Sequence, residues 1–249
     1  MGTCQRNHFI LTRTNSLLGH LMVAGISLWL VPSEPEAAHL QQLMDRHPEP
    51  GAHQSFPRFH PHVTLATVQQ PAPAPSVASP GAPSPVQSAT AALLLALREA
   101  VPLGQPAVPV RFGRVVAGDH YYRSIYVALL LSRELVDLRA ALGNAALGTP
   151  SSGSAAGPAS PPAFPHLSLY YIADEEAHAR ARVLQEMERE DVVGPSADER
   201  GVVLRCAGGP AGAVALEGFT GTQIWIVDCE GPVEGWKVLD KILLAKADR

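Results

Sequence analysis

One five-residue pattern occurs once in each half of the chain, and it restricts the fold more than any other feature. Pro61-His62-Val63-Thr64-Leu65 and Pro165-His166-Leu167-Ser168-Leu169 both read proline, histidine, apolar, hydroxyl, leucine. Side chains two apart on a strand share a face, so His62 and Thr64 project together, as do His166 and Ser168. Val63, Leu65, Leu167 and Leu169 then face a core. A single His-x-Thr on a strand is most often structural, but two copies with matching flanks, each opening a strand, reverse that reading. If the two strands lie together across a pseudo-twofold axis, two imidazoles and two hydroxyls converge on one cleft.

The remaining pattern mixes helices with antiparallel strands. Residues 25–31 alternate as a strand, after which Ser33 and Glu36 read as a capping box for a helix with Leu40, Leu43, Met44 and His47 on one stripe. Residues 91–101 read as an apolar helix. Residues 108–116 and 124–131, rich in β-branched and aromatic side chains, predict a hairpin around Gly118. Ser132 is placed to cap a helix carrying Leu135, Leu138 and Leu142. Residues 166–172 alternate as a strand, leading into an Asp174-capped helix that ends near Glu190. Strands near 202–205 and 223–227 and a short helix from Val233 complete an α+β class. Tracts 69–88, 148–163 and 207–212, rich in Pro, Ala, Ser and Gly, read as mobile insertions.

Composition narrows the function. At 249 residues, 46% apolar and 17% charged, the chain suits one domain with a sizeable core and uncharged loops. A net charge of -4 with no Lys/Arg run argues against broad binding to long nucleic acid, while a small phosphorylated substrate remains open. Cys4, Cys206 and Cys229 are widely spaced without a CxxC pair, which supports neither a disulfide framework nor a zinc knuckle and points to a reducing compartment. The apolar run 17–30 is broken by Gly19, His20, Gly25 and Ser27 and is too short for a membrane span. Arg6, His8, Arg13 and His20 precede the first acidic residue, Glu34, a composition compatible with a weak organellar presequence. The preferred reading is an extension ahead of a core that starts near residue 25.

Two imidazoles and two hydroxyls suit hydrolysis of a cyclic phosphodiester. In-line displacement needs a base on the attacking water and an acid on the leaving oxygen, and histidine supplies both near neutral pH. Thr64 and Ser168 would donate to the non-bridging oxygens as charge builds there. No metal or cofactor is required. His60 shares parity with His62 and is read as a loop residue, because no second set of metal ligands accompanies it.

Three further stretches, together with the paired signatures, resemble the fungal and plant cyclic phosphodiesterase branch of the two-histidine phosphoesterases. They are Ile26-Ser27-Leu28-Trp29-Leu30-Val31-Pro32, the segment 113–127 containing Gly118-Asp119-His120-Tyr121-Tyr122-Arg123-Ser124, and Val227-Asp228-Cys229-Glu230-Gly231-Pro232-Val233-Glu234-Gly235-Trp236. The resemblance implies a bilobal α+β fold over residues 25–249, with two antiparallel sheets and flanking helices around a central cleft; residues 1–24 lie outside it. It implies hydrolysis of ADP-ribose 1″,2″-cyclic phosphate to the 1″-phosphate and of nucleoside 2′,3′-cyclic phosphates to 2′-phosphates. His62 and His166 would be catalytic, with Thr64, Ser168 and Tyr171 at the phosphate or sugar. His166 would activate water and His62 would protonate the leaving oxygen. A monomer acting on a small cyclic phosphate is expected, cytoplasmic, with Golgi association the alternative.

Trp29, Tyr121, Tyr122 and Trp225 are candidates to stack on a base or ribose, against a competing role in core packing. Cys206 and Cys229 read as small buried hydrophobes. Glu175-Glu176 and the acidic residues of 188–191 read as solvated helix charge. Competing functions are a relative that opens or joins RNA ends, which needs a basic surface not visible here, and a non-catalytic nucleotide-binding module of the same fold.

Overall fold

The computed structural model describes residues 25–46, 56–68, 85–146, 164–206, 212 and 214–246. Residues 1–24, His47 and most of the three Pro/Ala/Ser/Gly tracts therefore lie outside the described residues. In chain order the elements are β1 (Ile26–Pro32), α1 (Glu34–Met44), β2 (Val63–Val68), α2 (Pro85–Ala100), β3 (Val108–His120), β4 (Arg123–Leu129), α3 (Arg133–Ala146), β5 (His166–Tyr170), α4 (His178–Arg189), β6 (Val193–Pro195), β7 (Val202–Cys206), β8 (Val214–Leu216), β9 (Gly218–Asp228) and β10 (Lys237–Leu243). The class is α+β, as expected.

Seven strands form one antiparallel sheet in the order β1-β2-β5-β4-β3-β9-β10, and β9 also pairs with β1, so the sheet closes on itself. The two expected sheets are thus halves of a ring. One half holds β1, β2, β9 and β10 and the other β3, β4 and β5; they meet at β2–β5 and at β3–β9. A separate small sheet, β6-β7-β8, lies beside α1 and β3. Helix α3 packs on β2 and β3, and α4 on β3 and β4. Every residue of β1 is buried because both of its faces are covered: Ile26, Leu28 and Leu30 enter the main core, while Trp29 and Val31 join Val227 and Cys229 beneath the other face.

Several boundaries differ from the sequence expectation, each for a local reason. Helix α2 starts at Pro85, so residues 85–88 of the first tract are helical; proline is well tolerated in a helix's first turn, where its missing N–H has no intrahelical partner. The hairpin turns at Tyr121 and Tyr122, not around Gly118. Gly118 stays inside β3, where a Cβ would come within 2.1 Å of the Arg123 carbonyl oxygen. The Ser33 hydroxyl donates to Glu36, but Glu36 accepts the Thr220 N–H at 3.1 Å, so the pair ties α1 to β9 instead of closing a reciprocal capping box. Asp174 opens a short 3-10 turn and its carboxylate pairs with Arg180, whose buried guanidinium also donates to the Ile172 carbonyl at 2.8 Å; α4 begins only at His178. The helix expected from Val233 is a single 3-10 turn, after which the chain runs along the edge of β9 as β10. A stretch this short nucleates a helix poorly, and the open strand edge offers a full ladder instead. The Ser132 cap is as expected, with the Leu135 N–H donating to its Oγ at 3.2 Å. Among the described residues no helix is long and apolar enough to cross a membrane.

Candidate active site

The two signatures meet at one point of the ring. Val63 of β2 pairs with Leu167 of β5, and both side chains are wholly buried. An antiparallel register centred on that pair sets His62 opposite Ser168 and Thr64 opposite His166, all on the face away from the core. A pseudo-twofold axis runs through the pair. All four side chains, with Tyr171, line one cleft of about 240 Å³. Alternation along a strand accounts for the shared face, and the β2–β5 pairing accounts for the convergence.

The histidines sit in different surroundings. His62 is 6% exposed and lies flat on the Trp29 indole, with ring centroids 3.6 Å apart and planes 9° from parallel. Its Nδ1–H donates to the His60 carbonyl at 2.6 Å, which leaves the Nε2 lone pair as the available atom. Burial pushes its pKa down to about 3; the His60 carbonyl opposes this and the positive charges of His60 and His166 reinforce it. The ring is therefore neutral at pH 7. His166, half-buried at the opposite end of the pair, meets the edge of Tyr126 at 5.5 Å.

The hydroxyls differ in the opposite sense. Ser168 is buried; its Oγ–H donates to the Tyr122 carbonyl at 2.9 Å, and the Tyr171 phenol lies near enough to interact with it. Since the serine proton is committed to Tyr122, a bond between the two hydroxyls would need the phenol as its donor. Tyr171 is stacked on Phe59 at 4.0 Å and 13°, and burial raises its pKa well above the ordinary phenol range. Thr64 is half-buried at the cleft wall. To reach a phosphate oxygen with its proton, Ser168 has to turn away from Tyr122.

Of the aromatic candidates, Trp29 and Tyr122 line the cleft, whereas Trp225 packs on His60 at 4.4 Å and under Lys241. Tyr121 packs against Tyr171 at 5.4 Å outside the lining. His60 does not share the face of His62, because both precede the first strand residue, Val63; it lies in a shallow depression with Phe59 and Arg58. Cys206 and Cys229 are free and buried, and burial pushes their thiols up to about 11 and about 12. Cys229 nonetheless contributes to the cleft floor beside Ser27. The acidic residues at 175–176 and 188–191 are absent from the lining.

Ser27, Thr67, His120, Arg123 and Trp236 also line the cleft and were not singled out by the sequence reading. Three of them, Ser27, His120 and Arg123, fall within the resembling stretches at 26–32 and 113–127, and Trp236 ends the third stretch, so the signal was present as similarity without an assigned role. Among the described residues no three His, Cys, Asp or Glu side chains are grouped to hold a metal ion.

Solved structures that align with the chain include E. coli LigT complexed with phosphate, at 14% identity over 89% of this chain and 98% of that one with a TM-score of 0.44. LigT complexed with 3'-AMP aligns at 12% identity over 89% and 98%, with a TM-score of 0.45. A further phosphoesterase crystal structure aligns at 14% over 89% and 99%, with a TM-score of 0.42. No curated protein matches the chain. The family described as cyclic phosphodiesterase-like protein matches residues 22–244, a span that contains both signatures and every residue of the cleft. The chain belongs to this cyclic phosphodiesterase-like family.

Proposed function

We propose that this protein hydrolyses small cyclic phosphodiesters, opening ADP-ribose 1″,2″-cyclic phosphate to the 1″-phosphate and nucleoside 2′,3′-cyclic phosphates to 2′-phosphates. The observation that carries the reading is the single Val63–Leu167 pair, which sets both histidines and both hydroxyls around one small cleft. A phosphate seated over that pair has an imidazole on each side, as in-line displacement needs.

The environments support an order of proton transfer opposite to the one implied by the resemblance. Neutral His62, with its Nε2 lone pair available, accepts a proton from the attacking water. His166, half-buried and nearer solvent, delivers a proton to the leaving sugar oxygen. Thr64 and a rotated Ser168 donate to the non-bridging oxygens. Protons are handled by imidazoles throughout, so the reading includes independence of metal. Trp29 and Tyr122 offer ring faces for the sugar or base. The reading takes the protein to act as a monomer, and the free thiols of Cys206 and Cys229 fit the cytoplasm.

The test is incubation of the purified protein with ADP-ribose 1″,2″-cyclic phosphate and with each 2′,3′-cyclic nucleotide, with and without EDTA, identifying the ester bond that opens. Turnover that survives EDTA and leaves the phosphate on the predicted oxygen is the expected result. Loss of turnover in EDTA, or no turnover of any cyclic phosphate, would refute the proposal.

A further inference from the structure

The β3–β4 turn brings three side chains into the cleft that neither signature supplies: His120, Tyr122 and Arg123. Among the described residues lining the cleft, Arg123 is the one side chain of permanent charge and none is a carboxylate. Among the described residues Arg123 makes no ion pair. A guanidinium in a small cleft without a carboxylate is set to meet an anion brought by the ligand.

The turn is held in place around it. Ser168 donates to the Tyr122 carbonyl at 2.9 Å on one side of Arg123. On the other side Ser124 Oγ donates to the Tyr121 carbonyl at 2.7 Å or the Ile172 carbonyl at 3.0 Å, and accepts the Ile172 N–H at 2.8 Å. His120 accepts the Tyr122 N–H at Nδ1, at 3.3 Å, so its neutral ring carries the proton on Nε2 and adds a second donor.

Symmetry shows which part of the ligand these donors address. The two signatures are related by a pseudo-twofold axis and together serve a phosphodiester, whose one negative charge is shared by two non-bridging oxygens. Arg123 and His120 come from the β5 side of that axis alone, from the end of β3 and the start of β4. They therefore address a part of the ligand that lies to one side of the reacting phosphorus. We infer that Arg123, assisted by His120, forms a second anion site that takes the diphosphate of a substrate such as ADP-ribose 1″,2″-cyclic phosphate while the signatures hold its cyclic phosphate. The inference rests on the cyclic phosphodiesterase reading and adds to it the residue that favours diphosphate-bearing substrates over mononucleotides.

The experiment compares the wild-type protein with Arg123→Gln and Arg123→Lys, after thermal melts have established that each variant folds. The R123Q variant should lose about 10- to 100-fold in kcat/KM on ADP-ribose 1″,2″-cyclic phosphate, mostly through KM. The lysine variant, which keeps the charge without the planar fork, should fall between the two. On a nucleoside 2′,3′-cyclic phosphate the loss in R123Q should stay below about threefold. ADP should weaken as an inhibitor of R123Q while inorganic phosphate inhibits as before. Equal losses on both substrates would place Arg123 at the reacting phosphate, and unchanged turnover of the diphosphate substrate would remove it from the site; either result overturns the inference. A wild-type protein that opens neither substrate would instead overturn the functional proposal, and calorimetric titration with ADP would then decide the anion site alone: binding weakened in R123Q supports it and identical binding overturns it.

Discussion

The two signatures have the same residue pattern and opposite environments. In the first, the histidine is buried and the threonine half-buried; in the second, the histidine is half-buried and the serine buried. Because the strands are antiparallel, the buried His62 stands opposite the buried Ser168 and the half-buried Thr64 opposite the half-buried His166. The cleft thus has a deep end and a mouth. A repeated motif supplies chemically equal groups, and the surrounding strands make them unequal: Trp29 of β1 lies flat on one imidazole, while Tyr126 of β4 meets the other edge-on.

The largest test of that comparison removes the imidazoles. His62→Ala and His166→Ala should each lower kcat by about 10²- to 10⁴-fold. If the deep histidine is the base and the outer one the acid, H62A loses the acid limb of the pH–rate profile and H166A the alkaline limb. Identical limbs in both variants would break the division of labour, and exchanged limbs would restore the order implied by the family resemblance.

The hydroxyls sharpen the same contrast. Thr64→Ala and Ser168→Ala should each cost about 10²-fold in kcat as one donor to the phosphate is lost. Their stabilities should separate. S168A strips a partner from the Tyr122 carbonyl in the buried end of the cleft, which lowers stability by about 1–3 kcal/mol, while T64A at the mouth changes it by about 0.5 kcal/mol or less. Denaturant melts of the two variants that coincide would show that the deep end and the mouth are not energetically distinct.

A smaller effect follows from the buried imidazole when the protein carries no ligand. His62 has a folded pKa of about 3 against an ordinary value of 6.5, so between those pH values the unfolded chain binds a proton that the native state does not. The stability contribution is fully present above pH 6.5 and is lost as pH falls toward 3, with a slope of up to about 1.4 kcal/mol per pH unit. Melts at pH 7 and pH 5 should show the loss in the wild-type protein and a flatter dependence in His62→Gln. An equal pH dependence in the two would mean that the deep imidazole is solvated after all.

The parts of this picture that the sequence made legible are those set by short-range pattern. Alternation at 62–65 and 166–169 placed four polar groups on one face, and Ser132 with Leu135, Leu138 and Leu142 defined α3. What it left hidden depends on partners distant in the chain. Glu36 looked like half of a capping box until Thr220 competed for its carboxylate, and residues 237–243 became a strand only because β9 offered an edge. The inequality of the histidines was hidden for the same reason, since nothing next to His62 announces that Trp29 will cover it. Arg123 is a single charge in a turn, and its meaning depends on where the Ser168 and Ser124 hydrogen bonds hold that turn.

The finest comparison concerns the support behind Ser168. The Tyr171 phenol, raised in pKa by burial, remains protonated across the working range and is near enough to Ser168 to donate to it. When Ser168 swings its own proton from Tyr122 to the phosphate, a bond donated by the phenol would still fix its oxygen. Tyr171→Phe keeps the ring stacked on Phe59 and removes only this bond. The expected cost is about 1 kcal/mol in stability and a few-fold in kcat, with KM nearly unchanged, because the phenol acts through the serine and not on the ligand. In the double variant with Ser168→Ala the kcat effect of Y171F should vanish, since the group it supports is gone. Independent, multiplying losses in the double variant would instead put the phenol in direct contact with the substrate, and the deep end would then present two donors to phosphate where the mouth presents one.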